Sequence, residues 1–179
     1  SCDPQFRTPA WCETLAPNGF IASWSFLRVF LIPWIGSTRP QDDMALGPTW
    51  PAEDDFAQNN GAATSSLPWR FVVPVHHAHY SRFHFLEGLT PREMARWRFH
   101  QFAFCWKIAR LAGRRAVLLK SPSHLARVPA LLDTFGPENV KFIHISRPSR
   151  PVIESNVAML RRMSIYGMQD PTPEPIARE

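Results

Sequence analysis

Ala116-Val117-Leu118-Leu119-Lys120-Ser121-Pro122-Ser123-His124, followed by Val140-Lys141-Phe142-Ile143-His144-Ile145-Ser146-Arg147, is the stretch from which the fold is read. Ala116–Leu119 is short and continuously apolar, the pattern of a strand buried on both faces. Ser121 and Pro122 suit a helix cap and first turn. Leu125, Val128, Leu131 and Leu132 make the following helix amphipathic, and Gly136-Pro137 ends it. Val140–Ile145 reads as a second strand. Pro148 or Ser149 then opens another helix, with Val152, Val157, Leu160 and Ser164 on one face. Strand, helix and strand within about 30 residues make a βαβ unit. The spacing predicts two parallel strands joined by a right-handed crossover.

Upstream, Thr90 and Glu93 form a capping box with Pro91 at the first helical position. Met94, Trp97, Gln101, Phe104, Ile108 and Ala112 recur at spacings of three or four, so a long helix has one apolar face with a single polar interruption. Gly113 closes it. Residues 9–35 are aromatic and read as helical, carrying Trp11, Leu15, Phe20, Trp24, Leu27 and Phe30; they suit a packing layer, with an acceptor-binding wall as the alternative. Residues 36–75 are rich in loop-forming residues, with a short helix near Glu53–Gln58. The expected fold class is α/β: a parallel sheet flanked by helices, helix-rich. Residues 1–90 form a helical and loop-rich acceptor side, and residues 91–168 a helix plus a βαβ cofactor-binding core.

The chemistry concentrates at the two strand ends, where open α/β sheets bind ligands. Lys120 brings a mobile point charge to a helix start, and Ser121 and Ser123 add hydroxyl donors. Arg147 ends the second strand, and Ser155 lies about two turns into the next helix. A guanidinium can hold a phosphate with two bonds, and the serine can donate a third. The plain alternatives are a solvated Lys120, a merely capping Ser121, and an Arg147 paired with Glu154. Two cationic strand ends side by side suit a nucleotide with separated anionic groups.

At 179 residues the chain is one domain or a large part of one. A net charge of +5 is compatible with nucleic acid, anionic lipid or phosphorylated ligands and selects none of them. Cys2, Cys12 and Cys105 are odd in number and not in a metal spacing, so they read as reduced, cytoplasmic thiols. The apolar run Phe20–Ile35 is broken by Arg28 and Pro33 and falls short of the ~20 residues a spanning helix needs. The chain begins at Ser1 and ends in a run with Pro171, Pro173 and Pro175, so both ends read as cut or processed.

The segments Leu118–His124, Leu131-Leu132-Asp133-Thr134-Phe135 and Phe142–Arg147 together resemble the bacterial sulfotransferases that use 3′-phosphoadenosine-5′-phosphosulfate (PAPS). Asp42–Gly47 followed by Pro51–Ala57 is similar to that family's acidic box, and Arg96-Trp97 also fits. The resemblance spans residues 3–168. It implies a P-loop nucleoside-triphosphate-hydrolase-like fold and transfer of a sulfuryl group to a hydroxyl or amine of a small molecule or lipid. By the same resemblance, Arg147 and Ser155 hold the 3′-phosphate and Lys120 stabilises the moving sulfonate; Ser121, a hydroxyl donor beside Lys120, is assigned a further cofactor contact. The family's opening strand and Arg/Lys-Ser-Gly-Thr loop have no counterpart here, since Gly36-Ser37-Thr38 follows no strand pattern. The chain therefore reads as an internal part of a sulfotransferase or a truncated product. No membrane span and no nucleic-acid partner are expected, and the oligomeric state is left open.

Attack by an acceptor needs a base. Glu53, Asp54, Asp55 and the histidines are the candidates, and Glu53 is singled out. The plain alternative for the acidic residues is helix capping and pairing with Arg39 or Arg70. His76-His77-Ala78-His79, with His84, is the rival motif. On a strand, two of these could share a metal. Only Glu87 is nearby to complete such a site, so no metal is assigned. Two other functions compete: a kinase-like phosphotransferase, and a non-catalytic nucleotide-binding or interaction module of the same lineage.

Overall fold

The computed structural model describes residues 5–22, 38, 47–66, 77–113 and 116–163. Their sheet is a parallel pair, β1 (Phe6–Arg7) and β2 (Ala116–Val117), with Phe6 opposite Ala116 and Arg7 opposite Val117. The Leu118 amide extends the ladder by donating to the Arg7 carbonyl at 2.9 Å. Nothing in the sequence marked β1 as a strand, because two residues carry no periodicity. The expected two-sided burial of Ala116–Leu119 is not met: Ala116 and Leu118 are exposed and Val117 and Leu119 half-buried. A two-stranded sheet has too few neighbours to cover both faces.

Downstream of β1, helix α1 (Trp11–Leu15) is set by Glu13. The buried Glu13 carboxylate accepts from the Ala10 amide at 2.7 Å and from the Arg7 guanidinium at 2.6 Å, tying the strand exit to the helix start. Only these five residues and a turn at 20–22 are helical in the described part of 9–35; residues 23–37 lie outside it. The segment 47–52 runs alongside. Pro48, Trp50 and Ala52 exchange backbone bonds with Cys12, Trp11 and Pro9 at 2.9–3.1 Å. That pairing delivers Glu53 as the N-cap of α2 (Asp54–Ala62).

Helix α3 (His77–Phe85) leads into α4 (Pro91–Leu111), whose capping box forms as the sequence predicts. The Thr90 amide donates to Glu93 at 2.7 Å, and the Glu93 amide donates to the Thr90 hydroxyl at 3.2 Å. Gly113 follows at φ +66°, a left-handed conformation that a Cβ would strain. The predicted apolar face of α4 is the spine of the core. Phe104 and Ile108 pack with Phe20 and Ala57, while Trp97 packs with Leu86, Ala130 and Leu131.

After β2 the chain winds as a 3-10 helix (Pro122–Arg127) before α5 (Val128–Phe135). A single α-helix was the expectation. Pro129 explains the change: it has no amide to donate to the Leu125 carbonyl, and its ring would clash there. Leu125 accordingly leaves the apolar stripe and is 70% exposed. A second 3-10 turn (Pro137–Asn139) precedes residues 140–148, which form no strand. Ile143 is 81% and Ile145 72% exposed. A parallel strand needs a ladder partner for its amides and cover on both faces, and the described residues supply neither. The βαβ expectation is therefore corrected to one strand and its following helices. Helix α6 (Ser149–Met163) starts where predicted, with Val152, Ile153 and Val157 exposed. No helix among the described residues is long and apolar enough to cross a membrane.

Candidate functional site

Lys120 leaves β2 with its side chain 73% exposed, and its ammonium meets the Glu53 carboxylate. These two residues were singled out separately, 67 positions apart, and the fold brings them into contact. The ladder at β1 places the lysine. The backbone pairing of residues 47–52 places the glutamate.

The next two residues of α2 continue the pattern. Asp54 Oδ1 lies 3.0 Å from His124 Nε2, and Asp55 Oδ2 accepts from Ser123 Oγ at 2.6 Å. Asp55 Oδ1 accepts from Arg127 Nη1 at 2.6 Å. Three consecutive carboxylates thus hold four residues of the Lys120–Arg127 segment. Arg39 and Arg70, the partners expected for them, lie outside the described residues. Ser121 is half-buried, and its hydroxyl is 2.9 Å from that of Ser123. It makes no side-chain cap bond, contrary to expectation.

Burial sets the electrostatics here. Asp55 and Arg127 are both buried, an arrangement stable only when the remaining donors and acceptors are also used. They are used: Arg127 donates through Nε to the Phe83 carbonyl at 3.0 Å and through Nη2 to the same oxygen. Its guanidinium also lies 5.7 Å from the Trp97 ring centroid. Burial opposes the charge on Asp54, yet the hydrogen bond and charge of His124, with the Gln101 bond, leave its carboxyl below the ordinary value. Burial likewise opposes the charge on His124, but Asp54 and then Asp55 outweigh it and hold the ring above its ordinary value. Gln101 donates through Nε2 to Asp54 Oδ2 at 2.7 Å and accepts through Oε1 from Gln58 Nε2, and Gln58 Oε1 accepts from the Thr64 hydroxyl at 2.8 Å. Gln101, the one polar position on the apolar face of α4, is the buried partner of this network.

Arg147 and Ser155 line one open cleft of about 280 Å³ with Pro148, Pro151, Val152 and Asn156. Glu154, the carboxylate considered for Arg147, pairs instead with Arg150 at 2.9 Å. Lys120 is not in the lining of this cleft. The expected side-by-side strand ends are replaced by two separate groups, Lys120 with Glu53 and Arg147 with Ser155.

The histidine motif falls on a helix. His77 opens α3, and His76 lies outside the described residues. Neighbours two apart on a helix point in different directions, so the shared-metal geometry of a strand is lost. His79 contacts the Arg82 guanidinium at 3.3 Å, and His84 lies 3.4 Å from Ser66 Oγ. Among the described residues no three potential metal ligands cluster. His144, expected on a strand, is exposed.

Over 174 residues, 95% of its length, the chain is 30% identical to the omega-hydroxy-beta-dihydromenaquinone-9 sulfotransferase Stf3 of Mycobacterium tuberculosis and of Mycobacterium bovis. The chain is similar to a sulfotransferase. It spans 43% of the length of these relatives. No family model and no solved structure matches it. The sulfotransferase likeness covers the acidic triplet, the Lys120 turn and the Arg147–Ser155 cleft together.

Two links escaped the sequence. Asp55 with Arg127, and Asp54 with Gln101, join residues 72 and 47 positions apart. The available signal was polar: a glutamine on an apolar helix face and a run of carboxylates at a helix start.

Proposed function

We propose that this chain is the part of a sulfotransferase that carries the donor's 3′-phosphate contacts and the sulfuryl-stabilising lysine, acting on a hydroxyl of an apolar or lipid acceptor. The relatives' printed name supports a lipid hydroxyl as the acceptor class. PAPS, the donor proposed, supplies an activated sulfuryl group, whose bond to the phosphate oxygen breaks as the bond to the acceptor oxygen forms.

The residues present fit such a donor. Arg147 binds the 3′-phosphate with paired N–H donors, and the Ser155 hydroxyl adds one bond. Lys120 neutralises charge building on the sulfonate and the departing phosphate oxygen, the largest contribution expected in this type of transfer. Ser121 adds a donor beside it. The observation that carries the reading is the Lys120–Glu53 contact. A base must stand within reach of the attacking oxygen. Once the donor's anion takes the Lys120 ammonium, the Glu53 carboxylate is released to accept the acceptor's proton. Cys12 and Cys105 are free and buried, and burial first, with the Glu13 charge, pushes the Cys12 thiol up to about 11. A cytoplasmic setting is part of this proposal, supported by thiols that are few and, where described, free.

Titration calorimetry with adenosine 3′,5′-bisphosphate tests the nucleotide half. Arg147→Ala should weaken binding by about 1.5–3 kcal/mol. Transfer of labelled sulfate from PAPS to a quinol-type alcohol tests the other half, where Lys120→Ala should lower the rate about 100- to 1,000-fold. Nucleotide binding without transfer to any acceptor would instead mark a non-catalytic module, and no binding by wild type or Arg147→Ala would end the assignment.

A further inference from the structure

We propose that Asp54 and Asp55 are positioning residues that set where Lys120 stands, acting through the turn that follows it. The inference rests on the sulfuryl-transfer role of Lys120 but concerns residues that role leaves unassigned.

Burial separates the two jobs. Lys120 is exposed and can meet a ligand, whereas Asp54, Asp55, Ser123 and Arg127 are each at most 1% exposed and cannot. What the buried residues can do is fix backbone. Asp55 bridges Ser123 to Arg127, and Arg127 is clamped to the Phe83 carbonyl at the end of α3. Asp54 bridges His124 to Gln101 on α4. Ser123, held from below, is in turn 2.9 Å from Ser121, the residue after the lysine. The turn is thus anchored to α2, α3 and α4 through side chains, although its own segment is a 3-10 helix with poorer backbone bonds than an α-helix. Glu53, one residue ahead on the same helix start, meets the lysine itself. A shift of α2 would therefore carry base, lysine and turn together, which preserves their mutual geometry.

Ser123→Ala tests this, since it removes one bond from Asp55 and leaves the buried Asp55–Arg127 pair whole. Transfer kinetics should show kcat lowered about ten- to hundredfold with KM for the donor unchanged. Affinity for adenosine 3′,5′-bisphosphate should stay at the wild-type value, because Arg147 and Ser155 are elsewhere. Hydrogen exchange at the His124 amide, which donates to the Ser121 carbonyl, should speed up about tenfold while α6 is unaffected. Asp54→Asn should act in the same direction. A wild-type kcat in Ser123→Ala, or a parallel loss of kcat and nucleotide affinity, overturns the inference. If the unaltered chain transfers to no acceptor, the sulfuryl-transfer reading fails by itself. The exchange result then decides the positioning role, and unchanged exchange at the His124 amide overturns it.

Discussion

Asp55 uses both oxygens, one on Arg127 and the other on Ser123, in a place with no solvent to substitute for either. Removing it leaves a buried guanidinium without its counter-charge. Asp55→Ala should cost about 3–5 kcal/mol in urea unfolding, and the double change Asp55→Ala/Arg127→Met should regain most of it. Asp54 and His124 make stability depend on pH. His124 is held above its ordinary value of 6.5, so its contribution is full below about that pH and is lost as pH rises through the raised value. Asp54 is held below 3.8, so its contribution is present above that pH and fades as pH falls through the lowered value. The pair is worth most between these limits. The urea midpoint should therefore decline from pH 6 to pH 9, and His124→Gln should flatten that slope. An unchanged slope would locate the dependence elsewhere.

At the scale of elements, α4 was the most legible, because its cap residues and apolar spacing are local. Thr90→Ala should cost about 1 kcal/mol. Trp97→Ala, which empties a fully buried place beside Leu86, Ala130 and Leu131, should cost about 3–5 kcal/mol; thermal unfolding followed by circular dichroism would check both. The helix after β2 was legible in existence but not in kind, since Pro129 divides it into a 3-10 and an α portion. The strand expected at Val140–Ile145 illustrates the other limit. Its residues have the right composition, but a strand exists only with a partner. With Lys141 exposed in irregular backbone and followed by Phe142, brief trypsin treatment should cut after it before it cuts after Arg96 or Lys107 inside α4. Mass spectrometry of the first fragments would show the order.

For the molecule as a whole, the acidic triplet at the start of α2 joins the part before residue 90 to the part after it. Lys120, Ser123, His124 and Arg127 all find their charged partners there. The sequence by itself determined α4 and its buried face, the start of α6, and the cationic and hydroxyl residue types suited to a ligand with anionic groups. Those features follow from spacing along one helix or from side-chain chemistry. Only the tertiary structure decided that Glu53 meets Lys120, that Asp54 and Asp55 hold the turn behind it, and that Arg147 and Ser155 form a group of their own. Such pairings depend on which distant segments are brought together, and a buried charge takes as its partner whichever opposite charge the fold leaves beside it.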